Sequence, residues 1–441
     1  MVATSSPSSS SPNPPRLGQT WPVPDETIRA RLAAARDATT TVDEKAAARL
    51  EESIHGQLAD LPVTDDIRER LRLEVRTVHR LLGIRPGLET IRYDDDDPHP
   101  ADVVVVDEAS MLDLQLMDLL VGAVRPDARL ILVGDRDQLA SVDAGAVLAD
   151  LVQARGSADD RRTPAFAAGA RALGLEVEVL EGERPLANAL VELRKNYRFA
   201  SRPGIATVAS ALRAGDADAA VEVLLDNGLA DARLVALDAQ NLVAALDPLL
   251  DELPEPGDER PEQWLDLLEH RFRLLGATHA GSSGVTALND LVESRLRARG
   301  WNTDETWYPG RAVLIERNHP GLGLSNGDLG VCLATEGEGR RRFHVRAAAG
   351  EAPIALAVEQ LPAHRTAWAM TLHKSQGSEF DHVFITLPPG GHPLLSRELL
   401  YTGVTRARER VTVFADEATI RQAVHAVQQR RTGLADALRN G

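Results

Sequence analysis

Two acids stand together where an apolar run stops. In VVVVDEAS, Val103–Ser110, four valines lead into Asp107 and Glu108. A short β-branched run closed by acids is typical of a buried parallel strand, and open α/β sheets bind ligands beyond the carboxyl ends of their strands. An acid placed there can hold Mg2+, usually through water, and its neighbour can orient an attacking water. The competing reading is that both acids cap the helix that follows, whose positive end favours them. About 27 residues on, a second apolar run ends in the same manner, LILVGDRDQLASVDAG, Leu130–Gly145. Gly134 and Asp135 close that strand. Gln138 then sits where a neutral amide can hydrogen-bond a terminal phosphate or the attacking water. An ordinary strand-to-helix loop would read alike, but the two loops in succession point to a P-loop-type nucleotide site.

Three further segments carry polar groups at positions that suit phosphates. In LRKNYRF, Leu193–Phe199, Arg198 can reach a γ-phosphate from a second domain, as an arginine finger does, or can be a solvated helix end. In WAMTLHKSQGSEF, Trp368–Phe380, the residues Thr371, His373, Lys374, Ser375 and Gln376 lie just beyond a strand. They suit a single-strand phosphate contact or a coupling element, although a lone His373 is more often structural. In LLYTGVTRARERV, Leu399–Val411, Arg406 follows an apolar helical run and is the natural second phosphate contact. Of 49 basic residues only three are lysines. Lys45 opens KAAARLEESI, Lys195 falls in LRKNYRF and Lys374 in WAMTLHKSQGSEF.

The elements that must position these groups alternate. Residues from about Asp25 to Leu82 read as helices, with Ala46, Ala47, Leu50, Ile54 and Leu58 near helical period. Asp102–Val106 and Arg129–Val133 read as strands, Met111–Val124 and Ala144–Val152 as helices, which predicts a parallel sheet covered by helices. Arg155–Gly174 reads as a loop, and Leu186–Leu275 as mostly helical. From Trp307 to Pro362 the chain is rich in Gly and in strand-like runs (Ala312–Ile315, Gly330–Leu333, Arg342–Val345, Ile354–Val358), which predicts a small β-barrel inserted in a larger domain. The α/β alternation resumes with strands Trp368–Leu372, His382–Leu387 and Arg410–Phe414 and helix Glu398–Arg408.

Composition narrows the class. The chain has 441 residues, enough for two or three cored domains, and 43% of them are hydrophobic. No apolar run reaches the 18 residues of a membrane span. The Ser/Pro-rich start, MVATSSPSSSSPNPP, has no basic head or apolar centre, so it is read as a disordered leader over 1–24 and not a secretory signal. One cysteine, Cys332, excludes an internal disulfide and a cysteine-held iron–sulfur cluster. These features fit a cytoplasmic protein. The net charge of −17 opposes a nucleic-acid partner on average, but a basic channel can sit on an acidic body. The acid runs Asp94–Asp97, Asp159–Asp160 and Asp251–Glu262 read as solvated loops.

In this order, DEAS, GDxxQL, NYR, LHKSQGSEF and YTxVTRAR, the motifs resemble those of superfamily 1 helicases. KAAARLEESI (Lys45–Ile54), TVHRLLG (Thr77–Gly83), GDRDQLASVDAGAVLADL (Gly134–Leu151), GRAVLIERNHPGLGLSNGDLG (Gly310–Gly330) and WAMTLHKSQGSEFDH (Trp368–His382) are similar to the RecD family, the alpha subunits of bacterial exodeoxyribonuclease V. The likeness runs from Lys45 to the C-terminus. It implies two RecA-like P-loop-NTPase-type domains with ATP and Mg2+ between them. They would span 25–185 and 186–441, with an SH3-like barrel at 307–362 inside the second. It implies Asp107 as the Mg2+ ligand and Glu108 as the base. Gln138, Arg198 and Arg406 would act at the γ-phosphate, with Gly134, Asp135, Gln376, Gly377 and Glu379 lining the nucleotide site. Lys45, Thr77, His79, Thr371, His373 and Lys374 would lie along DNA. The partners implied are single- and double-stranded DNA and RecB-like and RecC-like subunits. The activity implied is 5′→3′ translocation in double-strand break repair.

One family feature is missing. A phosphate-binding loop, GxxxxGK[ST], needs a lysine after a glycine, and none of the three lysines follows one. Where the family has a PTG-like turn before KAAARL, this chain has TTTVDE. Met1–Asp43 is therefore read as a foreign or remodelled start, the first domain as lacking its P-loop strand and helix, and ATP hydrolysis as poor. A non-catalytic structural or DNA-binding subunit, and a broken or mis-started gene product, are the alternatives. No clustered acid-plus-lysine pattern supports a nuclease.

Overall fold

Short β-branched and leucine runs build two separate parallel sheets, and a glycine-punctuated stretch builds a third, antiparallel one. The computed structural model describes residues 37–41, 47, 50–51, 54, 75–84, 90–140, 145–155, 161–172, 176–180, 186–193, 198–199, 201–255, 260–335, 340–346, 352–427 and 433–440. Lys45, Lys195 and the Ser/Pro-rich leader lie outside them.

The first sheet has strands β1 (Asp37–Thr41), β2 (Val75–Thr77), β3 (Val103–Asp107) and β4 (Arg129–Leu132), all parallel, in the order β2-β1-β3-β4. Thr39 of β1 registers with Val75 on one side and Val105 on the other. Val104 and Val106 point into a core shared with Leu116, Met117 and Leu120 of the helix Leu114–Ala123. That helix starts where Asp113 accepts a hydrogen bond from Leu116 N at 2.8 Å, the usual way to satisfy a helix's first free amide.

Two expectations for this region need correction. The run from Asp25 to Leu82 is not wholly helical. Ala47, Leu50, Glu51 and Ile54 are helical, but Asp37–Thr41 and Val75–Thr77 are strands. Thr39–Thr41, Val75 and Thr77 are β-branched, and each segment is too short to reveal a period. Arg155–Gly174 is not a plain loop either, since Pro164–Ala172 is a helix. Its signals were present in the sequence: Pro at the first turn, five alanines, and Thr163 just before it, whose Oγ1 accepts from Phe166 N at 3.4 Å in the structure.

The second parallel sheet runs β12-β6-β13-β14-β5, with β5 Ala232–Val235, β6 Phe272–Gly276, β12 Ala369–Thr371, β13 Phe380–Thr386 and β14 Ala407–Phe414. Strands β5 and β6 fall in the stretch read as mostly helical. β6 is buried at every position, and a five-residue strand buried on both faces has no alternation to betray it. The helices Pro203–Ala214, Ala217–Leu225, Val285–Ala298 and Arg397–Val404 contribute buried leucine, valine and alanine to one continuous core with this sheet.

Strands β7 (Arg311–Ile315), β8 (Leu329–Ala334), β9 (Arg341–Val345), β10 (Ile354–Ala357) and β11 (His364–Thr366) form an antiparallel sheet in the order β10-β9-β8-β7-β11. It lies between β6 and β12 in the chain, where an insert was expected. Its two edge strands do not pair with each other among the described residues, so these strands form an open sheet. Alternation divides its residues. Ala312, Leu314 and Val331 join the core of the second parallel sheet, while Val313, Ile315, Cys332, Phe343 and Val345 enclose a core of their own. Its central strands β7 and β8 are buried at nearly every position, so they pack on both faces. Tyr308 fastens the join: it donates to Glu293 at 3.0 Å and accepts from Trp368 Nε1 at 3.0 Å.

The chain ends on the first sheet's side. Arg439 of the helix Leu434–Asn440 donates to Gln153 O at 2.6 Å, and Leu434 packs against the first core. A division that assigns all of 363–441 to the second domain misses this return. No helix among the described residues is long and apolar enough to cross a membrane.

A candidate nucleotide cleft between the two parallel sheets

The ends of β3 and β4 are stitched together by backbone. Val133 N donates to Val106 O at 2.8 Å and Ala109 N to Val133 O at 2.9 Å. Glu108 makes the turn between β3 and the short helix Ala109–Met111 with φ 51° and ψ 37°, a left-handed conformation that a glutamate seldom adopts. Such strain persists only where the surroundings fix it, and it gathers at functional sites. Gly134 is required by packing. A Cβ there would sit 3.0 Å from Ser110 N and 3.1 Å from Ala109 N. Asp107 and Glu108 are both half-buried.

The β4 loop then reaches across to the second sheet. Asp135 accepts from Gln138 Nε2 at 3.2 Å and from Tyr401 OH at 2.9 Å. Burial first, and then the Asp135 charge, raise the Tyr401 pKa, so the phenol stays protonated and donates. Gln138 Oε1 accepts from Arg406 Nη2 at 3.0 Å. Leu139 is fully buried within the second sheet's core, its N donates to Thr402 Oγ1 at 2.8 Å, and its carbonyl accepts from Gln376 Nε2 at 2.8 Å. One residue of the first lobe is thus a plug in the second.

Arg406 is 3% exposed and is held by Thr402 O at 3.2 Å and Ser378 O at 3.4 Å as well as by Gln138. Burial lowers its pKa, and the charges of Glu108, Glu379 and Asp135 oppose that. These opposing charges come from both lobes, so the acid at the end of β3 and the guanidinium beyond the helix Arg397–Val404 act on each other. Arg198 donates to Thr405 O at 2.6 Å and pairs with Glu379 at 3.1 Å, and Glu379 also binds Arg408 at 3.2 Å. Gly377 turns the chain there with φ 70°.

Of the residues expected in one nucleotide site, Gln138, Arg406, Asp135 and Gln376 meet directly or through Leu139, with Glu108 near enough to act on Arg406. Arg198 and Glu379 pair at its rim. Gly134 is explained by backbone packing. Sequence reasoning missed Leu139, Thr402 and Tyr401, although Leu139 directly follows Gln138 and the other two lie in LLYTGVTRARERV. The donors fit Mg2+ only sparsely. No group of three or more His, Cys, Asp or Glu suited to a metal occurs among the described residues. Mg2+ bound by one or two carboxylates, with waters and phosphates completing its shell, asks for no more than Asp107 and its neighbour.

Of the residues expected along DNA, Lys45 lies outside the described residues. Thr77 and Thr371 are buried, and their hydroxyls accept from Arg80 N at 3.3 Å and Lys374 N at 3.4 Å. They shape two similar turns, TVHR and TLHK, each closed by its own threonine hydroxyl. His79 is exposed and His373 half-exposed. Lys374 faces the antiparallel sheet, 3.7 Å from Glu316.

The model of an AAA domain matches residues 37–160, and that of a UvrD-like helicase C-terminal domain matches 366–414. RecBCD enzyme subunit RecD of Mycolicibacterium smegmatis is 40% identical over 90% of this chain and 64% of its own length, and that of Haemophilus influenzae is 34% identical over 89% and 64%. This chain is a RecD relative. The ATP-dependent RecD2 DNA helicase of Deinococcus radiodurans is 30% identical over 82% of this chain and 43% of its own. The chain thus spans just under two-thirds of the RecD proteins it matches. Both matched segments of this RecD relative contribute to the cleft, since Asp107, Glu108 and Gln138 lie in 37–160 and Gln376, Tyr401 and Arg406 in 366–414.

The strained turn predicts a measurable asymmetry. Glu108→Gly is expected to be more stable than Glu108→Ala by about 1 kcal/mol, although glycine ordinarily costs stability, because only glycine takes this φ without penalty. Both variants lose the same carboxylate, so the comparison isolates the backbone. Urea midpoints that rank alanine at or above glycine would show that the turn is unstrained.

Proposed function

We propose that this chain is the motor portion of a RecD-type subunit, an ATP-dependent 5′→3′ DNA helicase working in a RecBCD-type helicase-nuclease with RecB-like and RecC-like partners. It hydrolyses ATP poorly by itself. The observation that carries the reading is the Gln138–Arg406 bond at 3.0 Å, a neutral amide on one lobe and a buried guanidinium on the other, beside Glu108. Asp107 would hold Mg2+, which supplies charge neutralisation at the phosphates. Glu108 would accept the proton of the attacking water. Gln138, Arg198 and Arg406 would change partners as the cleft fills, and Leu139 would carry that change into the second core. Gly134, Asp135, Gln376, Gly377 and Glu379 would shape the walls. The turns at Thr77–His79 and Thr371–Lys374, with Lys45, would follow the strand, and the antiparallel sheet, in the role of an SH3-like insert, would steer it. The absence of GxxxxGK[ST] from this sequence supports the poor turnover and favours, as a second reading, a DNA-binding subunit that powers nothing.

The purified chain should bind fluorescein-labelled oligothymidylate with an affinity that falls steeply as salt rises, while DNA-stimulated ATP hydrolysis stays near background. No binding at low salt would remove the DNA reading. Robust hydrolysis that Glu108→Gln abolishes would remove the claim of poor turnover.

A further inference from the structure

Where the antiparallel sheet meets the second parallel sheet, one carboxylate is crowded by cations from separate elements. Glu316, just past β7, is ion-paired with Arg365 of β11 and lies 3.7 Å from Lys374 Nζ in the turn after β12. Arg365 Nη1 also donates to His279 Nδ1 at 2.9 Å, from the loop after β6, and Lys374 Nζ lies 3.4 Å from Asn326 Oδ1. A guanidinium can only donate, so this imidazole nitrogen accepts and the ring is neutral. Partial burial, then Arg365 and Lys374, hold the His279 pKa below the usual imidazole range. The seam is open to water, with Arg365 36% and Glu316 24% exposed at the side chain. Two fixed cations share one carboxylate, leaving a net positive point on a chain whose overall charge is −17.

We propose that Arg365, Lys374 and His279 form a subsite for one backbone phosphate of single-stranded DNA, and that Glu316 is the resident anion which that phosphate displaces. The inference rests on the DNA reading above and deepens it. Carboxylate and phosphate offer a guanidinium the same pair of acceptor oxygens, so one can take the other's place without rebuilding the site. While Glu316 is in place the cations are already held and oriented. The exchange also reaches the cleft. Lys374 belongs to the three-residue turn His373–Ser375, and the next residue, Gln376, donates to Leu139 O at 2.8 Å. An anion swap at Lys374 therefore occurs two residues from a bond that joins the lobes.

The test is anisotropy of fluorescein-labelled oligothymidylate on the whole chain at one fixed salt concentration. Glu316→Gln should tighten binding about 5-fold, whereas Glu359→Gln, which removes the same charge from an exposed turn of the same sheet, should change it less than about 2-fold. In an Arg365→Gln background the gain from Glu316→Gln should shrink to less than about 2-fold, because the exchanged guanidinium is gone. Arg365→Gln alone should weaken binding and lower the salt slope by about 1. Equal gains from Glu316→Gln and Glu359→Gln would reduce Glu316 to a distant charge and overturn the proposal. An unchanged salt slope in Arg365→Gln would overturn it independently of how well Glu316→Gln folds. If the unaltered chain fails to bind DNA, the underlying reading falls; if it binds and these variants do not differ, this inference alone falls.

Discussion

Arg273→Ala is expected to destabilise the second lobe by about 3–5 kcal/mol, a large part of a domain's usual stability. Arg273 lies in β6, between β12 and β13, and is 1% exposed. Its Nη1 donates to Ala367 O at 2.6 Å, its Nη2 donates to Leu268 O, and the guanidinium sits 5.1 Å from the centre of the Phe380 ring. Burial pushes its pKa down to about 10, with Glu269 opposing, so the group is still charged at pH 7. Alanine would take a donor from each of two buried carbonyls and leave a cavity the length of the lost side chain, and both terms act in the same direction. Arg273→Met, which fills the space without the donors, should lose less. Urea midpoints for the two variants measure the difference. An alanine variant within about 1 kcal/mol of the parent would mean that these carbonyls find water instead.

The contrast between β6 and β3 shows what the sequence could reveal. VVVV ended by acids declares a strand, because no other element packs four β-branched residues in a row so well, although only Val104 and Val106 are fully buried. FRLLG has an arginine in its middle, and only the tertiary fold supplies the carbonyls and aromatic face that let it be buried. The cleft divides in a similar way. Gln138 and Arg406 were legible because an amide and a guanidinium beyond strand or helix ends both suit a phosphate, and they meet. Leu139 was not legible. Its neighbours in sequence belong to the first sheet, and nothing local says that its side chain is buried in the second core. The return of Leu434–Asn440 to the first lobe is hidden for the same reason. The capping of their own turns by Thr77 and Thr371 was not legible, because a hydroxyl beside a histidine and a basic residue reads as an open polar group. The strain at Glu108 leaves no trace in residue type at all.

The second large effect concerns Arg406 and is best read where turnover is measurable. In a chimera that supplies a GxxxxGK[ST] strand, loop and helix ahead of β1, DNA-stimulated ATP hydrolysis is expected to appear, and Arg406→Ala is expected to lower kcat by about 10^3. Arg406→Lys should recover only part of this, since an ammonium keeps the charge but not the planar fork that bonds Thr402 O, Ser378 O and Gln138 together. A purely structural role would appear as a fall in melting temperature and a disturbed KM with kcat little changed. The partnership with Gln138 adds a sharper criterion. If the amide and the guanidinium act as one unit, Gln138→Leu in the Arg406→Ala background should cost far less than Gln138→Leu alone, because the first loss has already broken the pair. Losses that instead multiply independently would mean that the 3.0 Å bond between them is an accident of the closed cleft and that each group meets the phosphates separately.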